Sequence, residues 1–246
     1  MRMKAENISK RYFRKNGDAN YLLAVKPLNL ELNAGETAVL MGRSGSGKTT
    51  LLNMLCGLLS PTEGEVWMDD TSLYSLDDKA ISRLRSERIG VVPQGRSAID
   101  TLTVMENILL PAKLYGRPLP VENARQWMER LGIAPLRDAR PAELSGGELR
   151  RMAIVRALAQ SPDFLFADEP TGDLDDENTR LVLSALRDYV QEQKKAVFIV
   201  THENDAMQYA DRSFRMDGGL FAAEAGPPAC APAAKSIDDP SAFKEK

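Results

Sequence analysis

Residues 42–49, with the sequence GRSGSGKT, combine two glycines five positions apart with a following lysine and threonine. An apolar run at 36–41 precedes them and a helix-like apolar run begins at residue 50, which is the context that a phosphate-binding loop requires. Glycines let the chain turn tightly, so that successive backbone N–H groups point at phosphate oxygens, and the helix N-terminus adds a positive field. We expect the nucleotide phosphates to be cradled by Gly42, Arg43, Ser44, Gly45, Ser46 and Gly47.

Side chains that could carry the reaction lie at the end of this loop and after a later strand. Lys48 is expected to reach the β- and γ-phosphates, and the hydroxyl of Thr49 to hold Mg²⁺. An apolar run at 164–167 is followed by Asp168 and Glu169. Ligands of open α/β sheets bind beyond the carboxyl ends of the strands. We therefore predict that Asp168 holds Mg²⁺ beside Thr49, and that Glu169 polarises the water that attacks the γ-phosphate.

A second anion site is predicted at residues 145–148. Ser145 is followed three residues later by Glu148, a capping box that predicts the start of a helix. The intervening Gly146 and Gly147 leave the first N–H groups unobstructed, and such a helix end attracts anions. A single nucleotide does not need two phosphate-binding helix ends within one subunit.

The elements that position these residues are predicted to form an α/β fold. Apolar strands at 36–41, 89–92, 164–167 and 196–200 alternate with helical spacing at 104–114, 121–131, 147–159 and 177–192, which favours a mostly parallel sheet covered on both faces. Strands at 8–13 and 28–32, separated by a polar turn at 14–18, come first. The Pro- and Ala-rich residues 223–246 are predicted to be a poorly ordered tail.

Composition limits the classes of function. The 246 residues are 43% hydrophobic, which is enough for one good-sized core and a small subdomain. The net charge of −3 argues against a nucleic-acid partner held by phosphate neutralisation. Two cysteines, Cys56 and Cys230, indicate no disulfide framework and fit a reducing cytoplasm. Without an 18-residue apolar run or an apolar leader, any membrane role is expected to come through a partner chain.

Over roughly residues 1–222 the chain resembles the ATP-binding cassette family. Residues 42–49 match its Walker A motif, 144–148 its signature, 164–169 its Walker B motif with the catalytic Glu169, and His202 its switch histidine. The resemblance implies an ATPase with a mostly parallel P-loop core sheet, an N-terminal antiparallel β subdomain and a helical subdomain inserted at about 96–160. It also implies that two copies pack head to tail, with ATP on one Walker A motif completed by residues 145–147 of the other copy.

The resemblance implies roles for five further positions. Tyr12 matches the aromatic residue that stacks on adenine, although a strand aromatic packed on the core is the alternative. Thr50 would donate to the α-phosphate, and Gln94 would sense both Mg²⁺ and the attacking water. Asp175 is the most diagnostic residue of the loop at 171–175 that crosses the dimer. His202, the single histidine of the chain, would contact the γ-phosphate and stabilise transition-state charge.

Residues 101–111 and 171–175 resemble the macrolide-exporter, lipoprotein-release and antimicrobial-peptide-resistance subfamily. That resemblance implies a separate membrane permease as partner, a peripheral location on the cytoplasmic face of the cell membrane, and export or extraction of a lipid, peptide or drug. Residues 95–99 depart from the subfamily, which usually has an acidic or polar residue after the glutamine and then apolar or aromatic residues that help form a groove for the permease. We hypothesise that Arg96 meets an acidic group of the permease.

Two other functions stay open at this point. A cassette of this kind can regulate a membrane protein, for example one that gates cell-wall hydrolases. A soluble cassette acting on the ribosome or on DNA is the second alternative.

Overall fold

The computed structural model describes residues 1–13 and 21–223. The predicted turn at 14–18 and the predicted tail, apart from residue 223, lie outside them. In chain order the elements are β1 (Arg2–Phe13), β2 (Tyr21–Asn33), β3 (Thr37–Met41), α1 (Lys48–Leu55), β4 (Glu63–Met68), β5 (Thr71–Ser72), α2 (Asp78–Arg88), β6 (Ile89–Val92), α3 (Val104–Leu114), α4 (Val121–Arg130), α5 (Gly146–Ala159), β7 (Phe164–Asp168), α6 (Asp176–Gln193), β8 (Ala196–Thr201), β9 (Arg212–Asp217) and β10 (Leu220–Ala223).

These strands form two sheets. The larger sheet has the order β10-β9-β3-β8-β7-β6, and the strands from β9 to β6 are parallel, with β10 antiparallel at one edge. The smaller sheet is antiparallel, with the order β2-β1-β4-β5. The predicted combination of a mostly parallel core sheet and an N-terminal antiparallel sheet is therefore confirmed.

Each face of the parallel sheet buries its own core. Alternate residues of a strand point to opposite faces, and Val39 and Met41 of β3 pack in one core while Ala38 and Leu40 pack in the other. The first core contains α3, α4, α5 and α6. The second is filled by α1 and the antiparallel sheet. Because both faces are covered, the central strands are apolar throughout, which explains why the sequence predicted them well.

The structure differs from the sequence-based expectation in several places. The first two strands begin earlier than predicted, at Arg2 rather than Ile8 and at Tyr21 rather than Leu28. The helix after the phosphate loop ends at Leu55 rather than near Leu59, because Gly57 follows with a positive φ of 72°. The strands β9 and β10 were not predicted. In β9 the buried Phe214 and Met216 alternate with exposed charged residues, so the strand lacks the continuous apolar run of its neighbours. Within residues 1–13 and 21–223, no helix combines the length and apolar composition needed to cross a bilayer.

Candidate functional site

The phosphate loop joins the carboxyl end of β3 to the N-terminus of α1, as the sequence predicts. Gly47 is the N-cap of α1 with φ of 106°, and Gly45 also has a positive φ, of 76°. A Cβ atom at Gly47 would lie 2.2 Å from the carbonyl oxygen of Ala24, and one at Gly42 would lie 2.3 Å from that of Met216. Glycine is therefore required at both ends of the loop, where other backbone segments press against it.

Lys48 is the buried cation of this loop. Its Nζ atom donates to the carbonyl oxygens of Gly42 at 2.6 Å and Arg43 at 3.1 Å, so the side chain folds back over the loop. The hydroxyl of Ser46 is buried without a hydrogen-bond partner among the described residues. A buried ammonium group folded over a glycine-rich loop is a site that an anion would satisfy.

The turn between β9 and β10, which the sequence did not predict, supports the phosphate loop from behind. The N–H group of Gly219 donates to the carbonyl oxygen of Ser46 at 3.0 Å, and the N–H group of Lys26 donates to that of Gly219 at 2.9 Å. Gly219 has φ of 78°. Two consecutive glycines at 218–219 are a turn signal in the sequence, but nothing in the sequence connects that turn to the loop.

Thr49 and Asp168 are brought together as predicted. Asp168 is the last residue of β7 and its side chain accepts a hydrogen bond from Thr49. Burial raises the pKa of the Asp168 carboxyl and the charge of Glu169 raises it further, while the Thr49 hydrogen bond and the charge of Lys48 act in the opposite direction. A hydroxyl and a carboxylate at adjacent positions are the hard oxygen ligands that Mg²⁺ prefers.

Glu169 and His202 lie side by side at the cleft that Lys48 lines. Oε2 of Glu169 lies 2.9 Å from Nδ1 of His202 and accepts a hydrogen bond from Oγ1 of Thr201 at 3.1 Å. Oε1 lies 3.8 Å from Nζ of Lys48. Glu169 has a positive φ of 49°, a backbone conformation that a non-glycine residue keeps only where its surroundings impose it. Here its N–H group is held by the carbonyl oxygen of Val200 at 2.8 Å.

One open cleft is lined by half of the residues predicted to bind the nucleotide and by the three predicted catalytic residues. Tyr12 and Leu22, which pair across β1 and β2, form one end, so Tyr12 lies partly exposed at the cleft rather than in the core. Leu22 and Ala24 are additional lining residues that the sequence did not single out. The predicted site residues that line the cleft are Tyr12, Ser44, Gly45, Gly47, Lys48, Thr49, Thr50, Gln94, Glu169 and His202.

The predicted capping box at the start of α5 is present. The N–H group of Glu148 donates to Oγ of Ser145 at 3.3 Å, and Oε2 of Glu148 accepts from the N–H group of Ser145 at 2.7 Å. Hydrogen bonds from Ser145 hold the pKa of the Glu148 carboxyl below its usual range. Gly147 approaches Leu174, whose Cδ2 would lie 3.2 Å from an added Cβ, whereas Gly146 faces open space.

The residues predicted for the second anion site do not join the phosphate cleft. Gly146 lines a separate cleft together with Gly95, Arg150 and Asp173. Asp175 caps α6, where its Oδ1 accepts a hydrogen bond from the N–H group of Asn178 at 2.8 Å. Within the part of the chain that the structure describes, Ser145, Gly146, Gly147 and Asp175 are absent from the lining of the phosphate cleft.

Fold and site together define a P-loop nucleoside-triphosphatase. The phosphate loop follows β3 and Gln94 follows β6, while Glu169 follows β7 and His202 follows β8. Four parallel strands therefore direct their carboxyl ends at one cleft. A family model described as ABC transporter matches residues 25–172. The chain therefore belongs to the ATP-binding cassette family, it is an ATPase, and the resemblance to the macrolide-exporter and lipoprotein-release subfamily is confirmed.

Relatives and solved structures agree with this assignment. The chain is 37% identical to the uncharacterized ABC transporter ATP-binding protein MJ0796 of Methanocaldococcus jannaschii, over 88% of this chain and 94% of the relative. It is 38% identical to the lipoprotein-releasing system ATP-binding protein LolD of Pseudomonas syringae pv. tomato, over 80% of this chain and 88% of the relative. The dimeric post-hydrolysis structure of the MJ0796 cassette bound to ADP and Pi superimposes with a TM-score of 0.82 at 33% identity, covering 91% of this chain and 99% of that one.

Proposed function

We propose that the chain works as a homodimer that encloses two ATP molecules and uses their hydrolysis to drive a separate membrane permease from the cytoplasmic face of the membrane. One observation carries the proposal. Gly146 lines one cleft while Lys48 and Thr49 line another, and a nucleotide shared between two chains that face each other would contact both. The dimeric MJ0796 structure bound to ADP and Pi supports this arrangement.

In the proposed reaction each side chain has one task. The loop amides and Lys48 hold the phosphate oxygens, while Tyr12 stacks on the base. Mg²⁺ would be held by Thr49 and Asp168, with Gln94 beside them, and would neutralise charge on the β- and γ-phosphates. Glu169 accepts a proton from the attacking water. His202, held by Glu169 at 2.9 Å, stabilises charge on the γ-phosphate.

An exposed apolar groove supports the proposed permease partner. It runs along α3, and its polar lining within the described residues is limited to Glu106 and Lys113. Such a groove suits the apolar face of a short permease helix. The groove is lined by Leu102, Leu109, Leu110, Leu114 and Leu119.

Arg96, which we hypothesise meets an acidic group of the permease, already has an acidic partner in its own chain. Nη2 of Arg96 lies 2.5 Å from Oδ1 of Asp100, and both side chains are more than half exposed. An acidic group on the permease would therefore have to displace a carboxylate of this chain. Exposed pairs of this kind contribute less than about 1 kcal/mol, so the exchange costs little.

We further propose that the transported molecule is a lipid, peptide or drug that is exported or extracted. The support is similarity to the lipoprotein-releasing ATP-binding protein. Affinity purification of the tagged chain from detergent-solubilised membranes tests the partner. Recovery of an integral membrane permease is expected, and recovery of ribosomes or DNA without a membrane protein would contradict the proposal.

The dimer is tested by size-exclusion chromatography of Glu169→Gln with Mg-ATP. We expect a dimer with ATP and a monomer without it. Adding Ser145→Arg should abolish the dimer while the monomer still binds a fluorescent ATP analogue with the affinity of the parent, because Ser145 faces only the partner's nucleotide. Equal loss of binding and dimerisation would show that Ser145 belongs to the phosphate cleft of its own chain.

A further inference from the structure

Arg150, on the first turns of α5, connects this helix to the strand end that carries Gln94. Its Nη1 atom donates to the carbonyl oxygen of Pro93 at 2.8 Å, one residue before Gln94. The side chain is half-buried. Pro93 directly follows β6, so this hydrogen bond joins the helical part of the chain to the edge of the parallel sheet.

A second arginine of α5 holds the other end of the same segment. Nη1 of Arg156 donates to the carbonyl oxygen of Ser97 at 2.7 Å, and its Nη2 contacts the Ser97 hydroxyl. Residues 94–96 therefore span two points that are both fixed to α5. Residues 94–96 are exposed, and an added Cβ atom at Gly95 would meet nothing within 4 Å, so packing does not hold the span in place.

The surroundings of Arg150 argue against a simple stabilising role. Its guanidinium has no carboxylate at ion-pair distance among the residues described, although the charges of Asp173, Asp168 and Glu169 act on it from the site. Burial lowers its pKa, because a desolvated cation is disfavoured.

We infer that Arg150 is a positioning residue that makes Gln94 move with the helix that carries Ser145. The inference rests on the proposed function, in which Ser145 contacts the nucleotide of the partner chain. Docking of α5 on that nucleotide would then set the position of Gln94 in the chain's own phosphate cleft. The two nucleotide sites of a dimer are thereby coupled through one side chain.

A double-mutant cycle between Arg150→Met and Gln94→Ala tests the inference. If Arg150 had only a structural role, its effect on kcat would not depend on Gln94. The factors by which the two substitutions lower kcat would then multiply. We expect Arg150→Met to lower kcat about 10-fold with the KM for ATP nearly unchanged. In the Gln94→Ala background the same change should have no further effect. Arg150→Lys should recover most of the activity because its ammonium group can donate to the same carbonyl oxygen.

Hydrogen exchange of the nucleotide-free protein gives a second readout that does not depend on turnover. We expect the peptide covering residues 90–98 to exchange about 10-fold faster in Arg150→Met, because local opening becomes easier, and to be unchanged in the control Arg180→Met, an exposed arginine of α6. Arg150→Gln replaces the methionine variant if that variant does not fold. Losses in kcat that multiply, or unchanged exchange at 90–98, would overturn the inference even if the ATP-dependent Glu169→Gln dimer forms. Absence of that dimer would overturn the proposed function, and with it the coupling between two sites.

Discussion

The carboxylate of Glu169 lies 2.9 Å from Nδ1 of His202, although the two residues are 33 positions apart in the chain. The contact follows from strand register. Asp168 at the end of β7 pairs with Val200 of β8, so the residues that follow these strands emerge side by side. Thr201 donates to the same carboxylate oxygen at 3.1 Å, which fixes the proposed base between two donors.

Replacing Glu169 by Gln should slow hydrolysis without preventing binding. Loss of a general base lowers the rate at least ~10²-fold, which corresponds to about 2.7 kcal/mol of barrier. Single-turnover hydrolysis and equilibrium binding of a fluorescent ATP analogue separate the two effects. Glu177→Gln, an exposed glutamate at the start of α6, is the matched control and should keep normal turnover. Normal turnover in Glu169→Gln would mean that Glu169 is not the base.

Replacing Lys48 by Ala should weaken nucleotide binding itself. Its ammonium group is already buried over the loop and held by the carbonyl oxygens of Gly42 and Arg43. Hydrogen bonds to charged groups contribute about 1.5–3 kcal/mol each, so the Kd for ATP should rise at least ~10-fold. Titration with ATP measures this change, with the exposed Lys79→Ala as control. An unchanged Kd would exclude Lys48 from the phosphate site.

Asp168→Asn should stabilise the nucleotide-free protein at neutral pH. Because burial raises the pKa of Asp168, the folded protein keeps this proton to higher pH than the unfolded chain does. The free energy of unfolding therefore falls as pH rises from about 4 through the raised pKa, and the ionised carboxylate costs stability at pH 7. We expect a higher Tm at pH 7, with the gain shrinking towards pH 4.

Asp138→Asn is the control for this measurement, since that side chain is 87% exposed. Thermal unfolding at pH 4 and pH 7 compares the two variants. A lower Tm of Asp168→Asn at pH 7 would mean that the Thr49 hydrogen bond and the charge of Lys48 outweigh the cost of burial.

Gly219→Ala should disturb the phosphate loop from a distance. Gly219 has φ of 78° and an added Cβ atom would lie 3.0 Å from the carbonyl oxygens of Leu23 and Ala24. Gly116 also has a positive φ, of 61°, but an added Cβ atom there would meet nothing within 4 Å. Both substitutions should lower the free energy of unfolding, by about 1–3 kcal/mol for the backbone conformation alone.

Of these two variants, we expect Gly219→Ala but not Gly116→Ala to weaken ATP binding. The reason is that the N–H group of Gly219 donates a hydrogen bond to Ser46 of the phosphate loop. Urea unfolding and ATP titration of both variants separate the two effects. Equal ATP affinity in the two variants would show that the β9–β10 turn does not position the loop.

Much of the site could be predicted because its residues lie next to each other in the chain. The loop at 42–49 and the capping box of Ser145 and Glu148 depend on spacings of a few residues, which local backbone geometry determines. Asp168 and Glu169 could be predicted because β7 is buried on both faces. Its continuous apolar sequence ends sharply at these two acidic residues. Leu22 and Gly219 were missed because each contributes to the site only through a distant segment.

The sequence by itself predicted the chemistry proposed for this protein: a loop that binds phosphates, a carboxylate for Mg²⁺, a base, and a second helix end that attracts anions. Tertiary structure decided the distances between them. The register of parallel strands places His202 against Glu169, the β9–β10 turn fixes the loop, and the packing of α5 keeps Ser145 out of the phosphate cleft while Arg150 holds the strand end beside Gln94. These relations depend on long-range packing, which short-range patterns of residues do not encode.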